Sequence, residues 1–205
     1  RYFEFVPIDT LFFRDGRPFN QGEGSSGVSQ GQFPPSPTTV VGALRAALAR
    51  TKGWNQGPWS AELRTVLGDG DNLAGLTFKG PYLRRDGELL FPAPLNLMHG
   101  EDTEGNAVYQ LLKPASEPVL TDLGSVRLPT ATDLPPGAKP MENVFLTATD
   151  LSKVLTGDLT NLQPISQNEL WNPEPRTGIQ RDRSSRSTGD NALYFTNHVR
   201  LIDGV

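Results

Sequence analysis

Cysteine is absent from the 205 residues. That removes disulfide frameworks, thiolate metal sites and a cysteine nucleophile. Only two histidines occur, His99 and His198, so a zinc site would need carboxylates to complete it. No stretch approaches the ~20 consecutive apolar residues of a membrane span. No secretory leader opens the sequence, and no Asn-x-Ser/Thr acceptor occurs in it. These absences lead to the expectation of a cytoplasmic protein without a membrane partner. Hydrophobic residues make up 36% and charged residues 20%, low for a globular domain but above the range of disordered chains. What is plentiful is punctuation. The 21 glycines and 18 prolines require many turns and long loops and exclude an all-helical fold.

The net charge of −4 argues weakly against nucleic acid when taken as a sum. Lysine, however, is scarce: 14 of the 19 basic residues are arginine. Guanidinium groups bind phosphate bidentately and stack on bases, whereas lysine mostly supplies charge. The excess of arginine therefore points toward recognition of anions.

Along the chain, Tyr2 to Phe13 is aromatic and β-branched and predicts one or two strands interrupted near Pro7. About two dozen residues without hydrophobic periodicity follow, long enough to predict a functional or mobile loop. Ser36 then suits an N-cap and Pro37 a first helical turn. Val40, Val41, Leu44, Ala47 and Leu48 fall on one helical stripe, with Arg45 pointing away from it. Arg50 and Lys52 close that helix before Gly53. A second, shorter helix is predicted over Ser60 to Leu67, stopped by Gly68. Leu76 to Leu97 predicts a hairpin about Asp86-Gly87, with Pro81, Pro92 and Pro94 marking edge or bulged arms. Residues 99–140 read as an elaborated insertion with a short strand within Val119 to Leu128. A short helix is expected at Thr149 to Leu155, capped near Thr149 or Asp150. Glu174 to Asn191 reads as a polar, arginine-rich loop, and Ala192 to Ile202 as a strand. The resulting order, β–α–β–β–α–β, is that of a ferredoxin-like (RRM-like) α+β domain.

Several motifs carry chemistry. Gly22 to Gly27 matches G-x-G-x-x-G, but more loop and two prolines follow it, so the strand-to-helix junction of a dinucleotide site is missing. Arg14 and Arg17 flank a tight turn with Phe12, Phe13 and Phe19 beside them. Arginine planes with aromatic faces suit single-stranded RNA; an Arg–Asp15 bridge stiffening the turn is the competing reading. Arg176, Arg181, Arg183 and Arg186 lie among Ser184, Ser185, Ser187 and Thr188, a donor set suited to phosphate. A solvated loop, partly neutralised by Glu174 and Asp182, is the alternative there. Asp9, Asp15 and Asp182 have no metal-ligand spacing, and turn or capping roles fit them better. His198 in its strand is a weak general-base candidate, and His99 reads as a loop residue.

Taken together, three segments resemble one family. FFRDGRPF with the glycine-rich loop and FPPSPTTVVGALRAAL is similar to the N-terminus of the third subunit of the Cmr (type III-B CRISPR RAMP module) effector complex. FKGPYLRRDGELLFPAPLNL resembles its hairpin, and EPRTGIQRDRSSRSTGDNALYFTNHVRL its later strand region. The resemblance implies a RAMP fold with long loop insertions, one N-terminal RAMP domain over 1–205 with its insertion around 99–140, and a second, C-terminal RAMP domain absent from these residues. It also implies a non-catalytic subunit that needs no cofactor or metal, holds the 5′ tag of the CRISPR RNA, and docks on the large polymerase/cyclase-like subunit and a RAMP backbone subunit. Carried onto this sequence, the RNA-binding set is Arg14, Arg17, Ser36, Thr38, Thr39, Arg45, Arg50, Arg176, Thr177, Gly178, Arg181, Arg183 and Arg186. The two loops are expected to converge on one face. Two other functions stay open: an endoribonuclease processing precursor CRISPR RNA through His198, and a protein–protein scaffold with little RNA contact.

Overall fold

The computed structural model describes residues 2–14, 29–179, 181, 183–188 and 193–205. Its elements in chain order begin with β1 (Ser29–Gln30), α1 (Pro37–Thr51) and α2 (Ala61–Leu67). Strands β2 (Leu83–Arg85), β3 (Glu88–Pro92), β4 (Leu97–Glu101) and β5 (Ala107–Leu111) follow. Five short strands come next: β6 (Lys113–Pro114), β7 (Val119–Thr121), β8 (Gly124–Val126), β9 (Pro129–Thr130) and β10 (Lys139–Pro140). The chain closes with β11 (Val144–Thr147), α3 (Ala148–Thr156), β12 (Ile165–Ser166), a 3₁₀ turn at Gln167–Glu169, β13 (Trp171–Ile179) and β14 (Leu193–Leu201). The fold is α+β, with mostly antiparallel pairing. Two compact units form: Arg1–Pro81 with Asn172–Leu201, and Tyr82–Trp171 with Ile202–Val205.

In the first unit, Ser36 caps α1. Its hydroxyl accepts from the Thr39 N–H, and Pro37 occupies the first turn, where a missing N–H has no consequence. Ser60 caps α2 in the same way, through the Leu63 N–H. Ala49, Leu63 and Leu67 form the core between the helices, with Leu48, Trp54, Trp59 and Leu76 packed around it. The buried side of α1 is centred on Arg45 and Ala49, and Ala47 is exposed. The expected stripe is thus rotated, and Arg45 lies inside it rather than away from it.

The same unit holds a three-stranded sheet in the order β1-β14-β13. Ser29–Gln30 runs parallel to Thr196–Asn197. The expected strands within Tyr2 to Phe13 are replaced by an irregular segment with an isolated bridge. Leu11 and Val199 exchange two backbone hydrogen bonds of 2.8 Å. Farther along, Arg14 bridges Gly31. A side chain at 31 would meet the Asn197 carbonyl at 3.0 Å, so glycine admits this close approach. Tyr2, Phe3, Phe5, Val6 and Ile8 are exposed.

The second unit is built on an antiparallel sheet in the order β12-β11-β3-β2. The β2–β3 turn is Asp86-Gly87, with φ of 50° and 86°, the doubly left-handed turn that suits strand twist. β2 is an edge strand as the prolines predict, but β3 is interior, with Pro92 at its last position opposite Phe145. Thr147 ends β11 and caps α3, two residues before the earlier of the expected caps. Ala93, Leu97, Met141, Leu146, Val154 and Leu162 form the core. Asp150, in the first turn of α3, is also buried. Its carboxylate accepts from the Gln163 N–H at 3.1 Å and pairs with Lys153 at 3.3 Å. The insertion at 99–140 is regular after all, containing β4–β5, β6–β9 and β7–β8 pairs. Among the described residues, no helix is long and apolar enough to cross a membrane.

Candidate nucleic-acid interface

Strand alternation puts Tyr194, Thr196, His198 and Arg200 on one face of β14, and Glu174, Arg176 and Gly178 on one face of β13. Side chains join the two sets into a common face. Arg200 pairs with Glu174 through Nε. The Tyr194 ring lies across Gly178, where an added Cβ would fall 2.0 Å from Tyr194 Cζ. Glycine at 178 therefore makes room for the aromatic ring. Glu174 to Ile179, expected as loop, belongs to strand β13.

Four charged groups of alternating sign close one end of this face. Arg176 Nη2 donates to Asp9 Oδ2 at 3.0 Å and to Glu174 Oε1 at 2.9 Å, and its Nε donates to Glu174 Oε1 at 3.0 Å. Arg200 Nη2 donates to Asp9 Oδ1 at 3.1 Å. The Arg176 hydrogen bond, foremost among several, holds the Asp9 carboxyl below its ordinary range, and Arg200 does the same for Glu174. Reciprocally, Asp9 raises Arg176 and Glu174 raises Arg200. The cluster is formally neutral and partly open to water. Among the described residues, none of these bonds uses Nη1 of either guanidinium.

His198 occupies the middle of the face. Its Nδ1 lies 3.0 Å from Thr10 Oγ1, and Phe12 stacks on its ring with centroids 5.0 Å apart and planes at 20°. The N-terminal segment thus supplies Asp9, Thr10 and Phe12 to one sheet face. This is why the Leu11–Val199 bridge matters: it sets the register that delivers all three.

The other expected binding residues separate. Arg14 is exposed where the chain leaves this sheet, and Arg17 lies outside the described residues. Its expected meeting with Arg181 therefore falls outside them too. The Ser36 hydroxyl bonds those of Thr38 and Thr39, each at 2.9 Å, so the start of α1 is capped from within. Arg50 is exposed in the last turn of α1. Thr177 alternates to the opposite face of β13 from Arg176 and Gly178. Arg181, Arg183 and Arg186 are exposed, with Arg181 Nε donating to the Arg186 carbonyl at 2.8 Å. Of the acidic trio, Asp9 serves as the arginine partner, and Asp15 and Asp182 lie outside the described residues.

Arg45 requires a correction. It is 8% exposed, and its fork donates to the carbonyls of Leu67 (2.8 Å), Gly70 (2.9 Å) and Asn72 (3.5 Å). Its guanidinium stacks on Trp59, 5.1 Å from the ring centroid. It ties α1 to the turn after α2 instead of extending an exposed phosphate-binding surface. Arg200 and Tyr194 are missing from the sequence-based set, whereas Phe12 was singled out with Phe13 and Phe19. Period-2 spacing from His198 to Arg200 and to Tyr194 was the signal available for the first two.

The architecture and this face define an α+β protein that presents arginine, histidine and tyrosine together on a small open sheet. The chain belongs to the family of the CRISPR-associated protein Cas_Cmr3, whose profile matches residues 3–205. It is similar to a chain in a solved structure described as the cryo-EM structure of the Type III-B Cmr-beta bound to cognate target RNA and AMPPnP. That likeness has a TM-score of 0.47 and 17% identity, and covers 95% of this chain and 48% of the other. This chain thus spans about half the length of the one it matches. No curated protein matches it.

Proposed function

We propose that this chain is an RNA-binding, non-catalytic subunit of a type III-B CRISPR effector ribonucleoprotein in the cytoplasm. In this reading it has a ferredoxin-like RAMP fold, holds the 5′ repeat-derived tag of the CRISPR RNA, and docks on the large polymerase/cyclase-like subunit and a RAMP backbone subunit. Membership of the Cas_Cmr3 family over nearly the whole chain is the observation that carries it. The sheet face adds chemical support. Tyr194 offers a ring for a splayed base, and Arg176 and Arg200 offer guanidinium N–H groups to phosphate. Arg14 at the sheet edge and Arg181, Arg183 and Arg186 in the β13–β14 connection add exposed cationic groups to the formally neutral cluster. The carboxylates of Asp9 and Glu174 hold two of the guanidiniums in fixed orientation before any RNA arrives.

The experiment is purification of the chain with its effector partners, followed by sequencing of the bound RNA. Short RNAs sharing one constant 5′ end are expected. Absence of RNA, or random 5′ ends, refutes the tag-holding role. Incubation with labelled repeat RNA addresses the endoribonuclease alternative; cleavage that disappears in His198→Ala would replace the proposal.

A further inference from the structure

Within the insertion of the second unit, residues 113–130 form a narrow ribbon. β6 pairs with β9 at its base, and β7 pairs with β8 toward its turn. The Ala115 N–H donates to the Leu128 carbonyl at 2.8 Å and joins the two stretches. Among the described residues these strands pair with no others, so each stretch is a two-stranded sheet. Such a ribbon is marginal in water unless something covers one of its faces. Its turn is nevertheless well specified. The Thr121 hydroxyl accepts from the Leu123 N–H at 3.2 Å and donates to the Gly124 carbonyl at 3.1 Å, and Gly124 takes a φ of 94°.

The ribbon is apolar where it is most exposed. Leu120 is 84% and Leu123 86% accessible to solvent, and Val119 and Leu128 are exposed as well. Single surface leucines are ordinary; four exposed large apolar side chains within ten consecutive positions are not. Their arrangement is specific. Leu120 stands opposite Ser125 on one face, Val119 opposite Val126 on the other, and Leu123 occupies the turn between them. A tip that is apolar on both faces suits insertion into a groove better than contact with a flat surface.

Charge decides what kind of groove. The second unit carries 13 acidic and 6 basic side chains, a net charge of −7, whereas the first carries 10 and 13, a net charge of +3. Between Pro114 and Val126 the charged residues are Glu117 and Asp122, both acidic. A phosphodiester backbone is repelled by such a segment, and two copies of it would oppose like charges. A protein surface bordered by lysine or arginine is attracted.

We propose that the β7–β8 turn inserts Leu120 and Leu123 into an apolar groove of a protein partner whose rim presents basic side chains to Glu117 and Asp122. This docking role rests on the effector-complex reading above, which supplies the protein partners, and it is independent of the β13–β14 face.

The test uses the whole chain purified with its effector partners. Wild type is compared with a Leu120→Ser, Leu123→Ser double variant and a Glu117→Lys, Asp122→Lys double variant. Native mass spectrometry counts the protein subunits, absorbance ratios give the RNA content, and thermal melts of the isolated chain report its folding. The serine variant is expected to melt within about 2 °C of wild type, because both leucines are exposed. It should retain the RNA yet lower the occupancy of one protein subunit at least about tenfold. The charge-reversed variant should lose the same subunit, and more of it at low salt, where repulsion is less screened. A benzophenone amino acid at position 123 should crosslink to that subunit. Full subunit occupancy in the serine variant overturns the docking role and spares the effector-complex reading. Crosslinks confined to RNA, or RNA lost with every subunit retained, overturn it because the turn then contacts nucleic acid. A melting temperature lowered by more than about 5 °C, or crosslinks within the chain itself, show that the leucines pack internally, and the role falls. A homodimer of the isolated chain that the serine substitutions dissolve assigns the tip to a second copy and overturns it too. Wild type that assembles with no protein subunit overturns both this role and the effector-complex reading.

Discussion

Replacing Arg45 separates a structural role from a binding role. Arg45→Met keeps the aliphatic stem and removes the guanidinium. Hydrogen bonds to a charged group contribute about 1.5–3 kcal/mol each. The bonds to Leu67 and Gly70 have good lengths, while the 3.5 Å contact to Asn72 adds little. Gly70 is exposed and its carbonyl regains water, but Leu67 is buried and its carbonyl stays dry. Stacking on Trp59 adds about 0.5–2 kcal/mol. Relief of the desolvated charge offsets part of this sum. The net expectation is a loss of about 3 kcal/mol. For a chain of this size that is roughly 6–12 °C in Tm if it melts in one transition. Urea unfolding followed by tryptophan fluorescence measures it, with Arg50→Ala as an exposed control expected within about 0.5 kcal/mol of wild type. Arg45→Lys should lose nearly as much, because an ammonium lacks the planar fork. If Arg45→Met unfolds like wild type but binds RNA more weakly, the clamp is wrong and Arg45 is a surface contact.

Other outcomes follow from the same geometry. Asp150→Ala removes a buried carboxylate that accepts from Gln163 and pairs with Lys153, and should destabilise the second unit by about 2 kcal/mol in urea titrations; no change would show that Gln163 N–H is satisfied otherwise. Gly178→Ala displaces the Tyr194 ring, so RNA affinity should drop about fivefold while Tm moves little; equal binding would remove Tyr194 from the interface. Asp9 and Glu174 have carboxyls depressed from ordinary values of 3.8 and 4.5 by the arginines. Depressed groups stabilise the fold above the unfolded values and lose that contribution as pH falls through the folded ones. Below about pH 4.5, wild type should therefore lose stability more steeply than an Asp9→Asn, Glu174→Gln double variant; parallel curves would dissolve the ion cluster. Arg200→Ala should lower the logarithmic salt slope of RNA binding by about 0.7, the share of one phosphate; an unchanged slope would mean that Arg200 touches no phosphate.

Local chemistry was readable in the sequence. Ser36-Pro37 and Ser60 announce their helices because capping involves residues three apart. Asp86-Gly87 announces its turn because φ > 0 is needed at both positions. β14 follows from composition. What failed was long-range. Arg45 looked like a surface residue because the carbonyls that bury it come from positions 67 to 72. β13 looked like loop because Glu174 to Asn191 is polar and arginine-rich, yet Glu174 to Ile179 belongs to a strand at the edge of its sheet, where charged side chains and proline are tolerated. The aromatic content of Tyr2 to Phe13 suggested strands, but only a single Leu11–Val199 bridge forms there. The ion cluster joins Asp9 to partners 167 and 191 positions away, which no local pattern reveals.

Crosslinking in the assembled effector complex reads whether the β13–β14 face touches the RNA tag. A CRISPR RNA carrying 4-thiouridine at successive tag positions is irradiated, and adducts on this chain are mapped by mass spectrometry. Adducts are expected on peptides containing Tyr194 or His198, lost when Arg176 and Arg200 are both replaced by alanine. Tag adducts confined to other subunits, with none on β13 or β14, would contradict the tag-holding role.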